Sequence, residues 1–94
     1  MYSLFMGNTF ESVRFSKKVW LTNHAIESMS KRNVTLKEVK SLIESGKYTV
    51  DDNLHGWIYY NFPERNDNLV CAAVVNDKSI IVKTIMINWQ LRVK

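Results

Sequence analysis

His24, Ser28 and Arg32 recur at four-residue spacing inside the segment 22–35. Four residues is a little over one helical turn, so on a helix the three side chains form one stripe, with Arg32 within about 80° of His24 around the axis. The residue types suit work on a phosphate. An imidazole takes or gives a proton near neutral pH, a guanidinium grips two phosphate oxygens at once, and a serine hydroxyl adds a donor. Lys31 flanks the stripe with a second cation. His24 falls in the first helical turn, where unpaired backbone N–H groups and the positive dipole end favour an anion. A plainer reading stays open: His24 orients a helix start, and Arg32 pairs with an acid such as Glu38 on a solvated surface.

Further candidates lie on extended segments. Lys83 and Thr84 are neighbours on the last strand, so alternation sends them to opposite faces and only one of them can join a given site. In the aromatic run 57–62, Trp57, Tyr59 and Asn61 share one face and Tyr60 takes the other. Rings on a sheet stack on unpaired bases or form the core beneath helices, the commoner destination in a domain this small. His55, just before Gly56, reads as a turn residue that is either solvated or a second acid/base group. Two His and one Cys at scattered positions make no zinc site, so neither a metal nor a cofactor is expected. The three glycines are isolated and form no phosphate loop. Cys71 is alone, which rules out an intramolecular disulfide and points to a reducing compartment, the cytoplasm.

The formal charge of +4 is unevenly spread. Lys17, Lys18, Lys31, Arg32, Lys37, Lys40 and Lys47 fall in the first half, whereas Asp51, Asp52, Glu64 and Asp67 crowd the stretch after it. A basic half of this kind suits a polyanion or an acidic protein, and Lys17 and Lys18 join Lys31 and Lys83 as candidate RNA contacts. No apolar run approaches the length of a membrane span, and residues 1–10 lack the basic-then-apolar order of a secretory leader.

Ninety-four residues make one domain, 1–94. Val13-Arg14-Phe15-Ser16 alternates, and Val19 to Leu21 follow, predicting a short N-terminal strand or extended lead-in. Thr22 and Asn23 are N-cap candidates for a helix over about 24–32, which Asn33 ends. Thr35 and Glu38 have the capping-box spacing, Leu36, Val39, Leu42 and Ile43 share a face, and Gly46 predicts a left-handed cap. Four β-rich runs follow at 47–52, 57–62, 69–75 and 80–88, with a hairpin turn at 76–79. The expected fold is α+β: two N-terminal helices packed on one face of a three- to four-stranded antiparallel sheet.

The ordered set formed by His24-Ala25, Met29, Arg32, Val34-Thr35 and Glu38-Val39, then Gly46, an aromatic strand and Val82-Lys83-Thr84-Ile85, carries a resemblance. Over about 21–87 the chain resembles a family of small bacterial proteins of uncertain function, related to the BrnT and RelE toxins. Where that family has an Arg four residues after the His, this chain has Ser28. The resemblance implies a RelE/barnase-like fold and a metal-independent endoribonuclease toxin of the barnase, EndoU, colicin and RelE group. Such an enzyme cuts tRNA, mRNA or ribosome-associated RNA by attack of the ribose 2′-OH and is neutralised by an acidic antitoxin or immunity protein. It acts in the cytoplasm, its own or that of a cell to which it is delivered. His24 would then move a proton, Arg32 hold phosphate, and Thr84 or Tyr60 assist. The alternative is a module that kept the fold, lost the activity and binds RNA or protein.

Overall fold

A computed structural model describes residues 9–67 and 69–89; residues 1–8, most of the segment read for a leader, lie outside it. The chain runs β1 (Thr9–Ser12), β2 (Lys17–Leu21), α1 (Asn23–Arg32), α2 (Leu36–Ser45), β3 (Lys47–Val50), β4 (His55–Tyr60), β5 (Leu69–Asn76) and β6 (Ile80–Trp89). The sheet order is β1-β2-β6-β5-β4-β3. All neighbours are antiparallel except β2 and β6, which are parallel. This overturns the expected three- to four-stranded antiparallel sheet of RelE/barnase type: the sheet is six-stranded and mixed. A parallel pair needs a long crossover, which α1 and α2 supply between β2 and the rest of the sheet. The pairing of Val19 with Ile80 spans most of the chain and leaves no local mark in the sequence.

The stretch 13–16 is likewise not a strand but the turn of the β1–β2 hairpin, with Val13 86% exposed and Ser16 in the left-handed region at φ 54°. A residue remote in sequence holds it. The Glu44 carboxylate, at the end of α2, accepts the Ser12 hydroxyl and the backbone N–H groups of Val13 (3.0 Å) and Arg14 (3.1 Å). The Arg14 guanidinium donates back to the carbonyls of Ile43 (3.0 Å) and Gly46 (2.6 Å). Gly46 is extended rather than left-handed (φ −72°, ψ 166°). A glycine is needed there for close approach, since a Cβ would lie 2.5 Å from the Leu42 carbonyl oxygen and 2.8 Å from Ile58.

Both helices cover the same side of the sheet, α1 over β6 and α2 over β4 and β5. One face of the sheet supplies the core: Val19 and Leu21, Ile58, Val70, Ala72 and Val74, and Ile80, Val82 and Ile85, sealed by Val39, Leu42 and Ile43 from α2 and Ala25 from α1. Each such aliphatic side chain contributes about 1.5–3 kcal/mol on burial. The other face, including Trp20, Trp57, Tyr59 and Met86, is half-buried, and among the described residues no helix lies over it. Trp57 and Tyr59 therefore do not form the core beneath the helices. No helix of the described residues is long and apolar enough to cross a membrane.

Candidate nucleic-acid interface

Helix α1 is set on the sheet edge by its polar residues. The Thr22 hydroxyl caps it, accepting Ala25 N–H (3.0 Å), and offers its own proton to the carbonyls of Val82 (3.0 Å) and Lys83 (3.1 Å). Strand β2 ends opposite Val82, so β6 beyond that point has α1 rather than a strand beside it. There the Ile85 N–H donates to the Ser28 hydroxyl (2.9 Å), which donates to the Ala25 carbonyl (2.8 Å). Ser28 is buried. It is a seam residue between helix and strand and presents nothing to a phosphate, which corrects its place among the RNA contacts. The side of α1 that carries Ala25 and Ser28 faces inward, so His24 and Arg32 flank a buried stripe instead of forming an exposed ridge.

His24 is exposed in the first turn, and its side chain has no hydrogen bond within the described residues. Lys31 is exposed and Arg32 half-buried in the last turn. The eight-residue separation places His24 and Arg32 roughly 12 Å apart along the axis, too far to serve one phosphorus atom. Arg32 pairs with no carboxylate; its carbonyl accepts the Arg65 guanidinium at 3.1 Å. Tyr60 is turned toward the core, its ring 4.8 Å from that of Phe62 in a T-shaped pair. Thr84 is on the helix-free side of the sheet, in one cross-strand row with Trp57 and Ala73. The four candidate catalytic residues, His24, Arg32, Thr84 and Tyr60, are thus not brought together.

The basic candidates divide. Lys17 is tied inward, its ammonium donating to the Asn76 side chain at 2.6 Å, while the Asn76 amide donates to the Tyr48 hydroxyl at 3.2 Å. Lys18 is exposed, its ammonium 5.5 Å from the centre of the Trp20 ring. Lys83 is exposed and does not oppose Thr84. Ala73 pairs with Thr84 and Val74 with Val82, leaving Lys83 as the extra residue of a β-bulge. Val82 and Ile85 both point inward, so Lys83 and Thr84 lie between two core residues and both belong to the other side. His55 opens β4 instead of sitting in a turn, and its Nδ1 is 3.0 Å from Asp52.

A second irregularity determines where Trp89 goes. Ile85 and Ile87 face the helices, and strict alternation would send Trp89 there too. Asn88 is left-handed at φ 56°, at a register shift between the β5 pairs of Leu69 and Cys71. The extra residue turns Trp89 onto the open face, 5.1 Å from Tyr59 and 6.4 Å from Trp57 between ring centres, with planes tilted only 31° and 32°.

Sequence reasoning passed over Arg65, Glu44 and Trp89. Among the described residues Arg65 makes the most side-chain hydrogen bonds, donating to both carboxylate oxygens of Asp67 (2.8 and 2.7 Å), to Glu38 (3.1 Å) and to the carbonyls of Arg32 and Asn33. Hydrogen bonds and charge from Asp67, then Glu38, hold its proton more tightly than usual against the opposing effect of burial. The Asp67 carboxyl is correspondingly held below the usual range, first by its bond to Arg65. A cleft of about 590 Å³ beside this hub is lined by Asn33, Arg65, Asn66, Asp67 and Asn88. Its guanidinium is fully committed to partners within the chain. Among the described residues no three His, Cys, Asp or Glu side chains group as a metal site would require.

A family described as a domain of unknown function, DUF4258, matches residues 21–87. The chain belongs to this family. The DUF4258 match begins at the last residue of β2 and stops two residues short of Trp89, so it takes in both helices and Trp57 and Tyr59 but not the β1 hairpin. No curated protein matches the chain. No solved structure matches it either.

Proposed function

We propose that the protein is an RNA-binding module, one that kept a toxin-like chain and lost the cleavage chemistry. One observation carries this reading: seven of the nine lysines are exposed and, among the described residues, free of carboxylates, while four of the nine acids are engaged within the chain. Glu38, Glu44, Asp52 and Asp67 are held by internal hydrogen bonds. Among the described residues Arg65 is the one Lys or Arg in an ion pair, so Lys18, Lys31, Lys37, Lys40, Lys47, Lys78 and Lys83 stand without a carboxylate. Uncompensated surface cations of this density suit a phosphate backbone. The partner is tRNA, mRNA or ribosome-associated RNA, met in the cytoplasm, and an acidic antitoxin or immunity protein competes for the same charge.

A second reading, a metal-independent endoribonuclease toxin, is favoured by His24, exposed at the anion-friendly end of α1 with its imidazole uncommitted. The two readings separate with purified protein, RNA and ribosomes, run beside His24→Ala and Arg32→Ala. Salt-dependent binding with RNA left intact in every lane is the expected result. Cleavage by the parent protein that disappears with His24→Ala establishes the enzyme and overturns the module.

A further inference from the structure

We infer that the helix-free face of the sheet is the surface that takes the RNA: Trp57, Tyr59 and Trp89 form a platform on which unpaired bases stack, and Lys47 and Lys83 hold the flanking phosphates. This rests on the RNA-binding reading and gives it a site away from α1. Three observations converge on the platform. The rings are half-buried and close, with Trp89 inclined by about 30° to each of the other two, so three aromatic surfaces of similar orientation remain partly accessible side by side. Such faces accept any base without reading its edge.

The backbone is shaped to put them there. The left-handed Asn88 redirects Trp89 from core to open face, and the bulge at Lys83 places a cation and the Thr84 hydroxyl together on that side. Asparagine enters the left-handed region more readily than other non-glycine residues, so position 88 can make this turn. The charge is complementary as well. Lys47 pairs directly with Tyr59 across β3 and β4, and the rows Lys47–Tyr59–Cys71–Met86 and Thr49–Trp57–Ala73–Thr84 contain no acid. The acids nearest in register on this side lie beyond those rows: Glu11 at the far β1 edge opposite Lys18, and Asp51 and Asp52 against His55 at the β3–β4 end. Lysines on both flanks disfavour a second copy of the same face. Duplex RNA is disfavoured too, because paired bases do not offer their rings to a sheet.

The test uses the full chain and a fluorescent single-stranded oligouridylate of about ten nucleotides, with a polyglutamate peptide as a competing acidic ligand. Titration is expected to quench tryptophan emission. Trp57→Leu and Tyr59→Leu, which keep apolar cover but remove the ring, should each weaken binding by about 5- to 150-fold. Tyr59→Phe should stay within about twofold, since stacking needs the ring and not the hydroxyl. Lys47→Gln and Lys83→Gln should each lower the slope of log affinity against log salt by about 0.7, and Lys37→Gln, on α2, should not alter the tryptophan quench. Circular dichroism checks that each variant is folded; if a Leu variant is not, Trp57→Tyr and Tyr59→Phe beside the two Lys variants decide, retained binding with a lowered salt slope supporting the platform. RNA binding that is unchanged in folded ring-less variants overturns this inference and leaves the RNA-binding reading intact. A parent protein that binds no oligouridylate overturns both. Polyglutamate bound as tightly as RNA, through the same aromatic residues, assigns the face to an acidic protein instead.

Discussion

On the helix-covered face of the sheet Val19, Ile58, Val74 and Ile80 are sealed from water, while on the opposite face Trp20, Trp57, Tyr59 and Met86 all remain partly accessible. The covered face is aliphatic and follows alternation on every strand but β6, where the bulge resets it. The open face is aromatic, and two irregularities of β6 adjust what it displays. On β2, β4 and β5 alternation alone brings one set of side chains against Leu42, Ile43 and Val39. On β6 the bulge at Lys83 shifts the inward set from Ile80 and Val82 to Ile85 and Ile87, so it serves the core as well as placing Lys83 and Thr84 on the open face. The left-handed Asn88 acts on the open side, where Trp89 is turned away from the helices.

The largest effect should separate the two faces directly. Leu42→Ala removes a fully buried side chain that touches the sheet core and is expected to cost about 2–5 kcal/mol. Ile81→Ala, at a position 36% exposed on the open face, should cost less than about 1 kcal/mol. Urea denaturation with unchanged m-values measures both. Equal losses would break the distinction, since they would mean the open face is packed like the core.

Ser28 offers the next test, because it joins the helix layer to the β6 backbone. Ser28→Ala leaves the buried Ile85 N–H without an acceptor and should cost about 1–3 kcal/mol. Amide exchange of Ile85 should accelerate along with the loss of stability. Normal protection of that amide in the variant would show that the seam does not depend on the hydroxyl.

What could be read in advance follows the same division. Helix α2 was legible except for the conformation of its Gly46 cap, because Thr35 and Glu38 satisfy each other's backbone and leave a local signature. Thr22 as a cap and Asn33 as a stop were legible for the same reason. The shared face of Trp57 and Tyr59 followed from alternation, but which layer lay over it did not. The N-terminal hairpin was misread because Glu44 holds its turn from about thirty residues away. The opposed placing of Lys83 and Thr84 failed because one extra residue resets the parity, and nothing in Val82-Lys83-Thr84-Ile85 announces it. At the candidate site, the place of His24 in the first turn of a capped helix was legible, but whether its ring packed or stood in solvent was not. The burial of Ser28 was not, since it depends on which strand edge lacks a partner.

A smaller effect concerns pH. Burial pushes the Glu44 carboxyl up, but the Ser12 hydroxyl and the backbone N–H groups of Arg14 and Val13 outweigh it, and the carboxyl sits below its ordinary value. A depressed carboxyl stabilises the fold above the unfolded-state value, and that contribution disappears as pH falls through the folded one. Stability should therefore decline through and below the usual carboxylate range, near pH 4 and lower. Glu44→Gln should cost about 1 kcal/mol at neutral pH and flatten the decline. Denaturation midpoints across acid pH report it, and the loss should centre on the β1–β2 turn on the helix-covered side. A variant that keeps the full acid slope would place the responsible carboxylate elsewhere, Asp67 first.

The most local readout probes the open face from within. Cys71 is fully buried although its parity points to that face, in register between Tyr59 and Met86. Burial pushes its thiol up to about 12, so at neutral pH almost none is thiolate and a disulfide reagent meets an unreactive group. Tyr59 in turn leans on Trp89. Trp89→Ala removes two aromatic pairs, with Tyr59 and Trp57, each worth about 0.5–1.5 kcal/mol beyond its area, and it should raise the labelling rate of Cys71 by about tenfold or more through local opening. Bound oligouridylate should slow labelling in the parent protein, because a stacked strand would lie over the rings that shield the thiol. If Cys71 labels at the same slow rate in both proteins, its shield is the sheet itself, and the aromatic platform is a separate layer above it. The thiol thus distinguishes rings that seal the open face from rings that only rest on it, which global stability would not reveal.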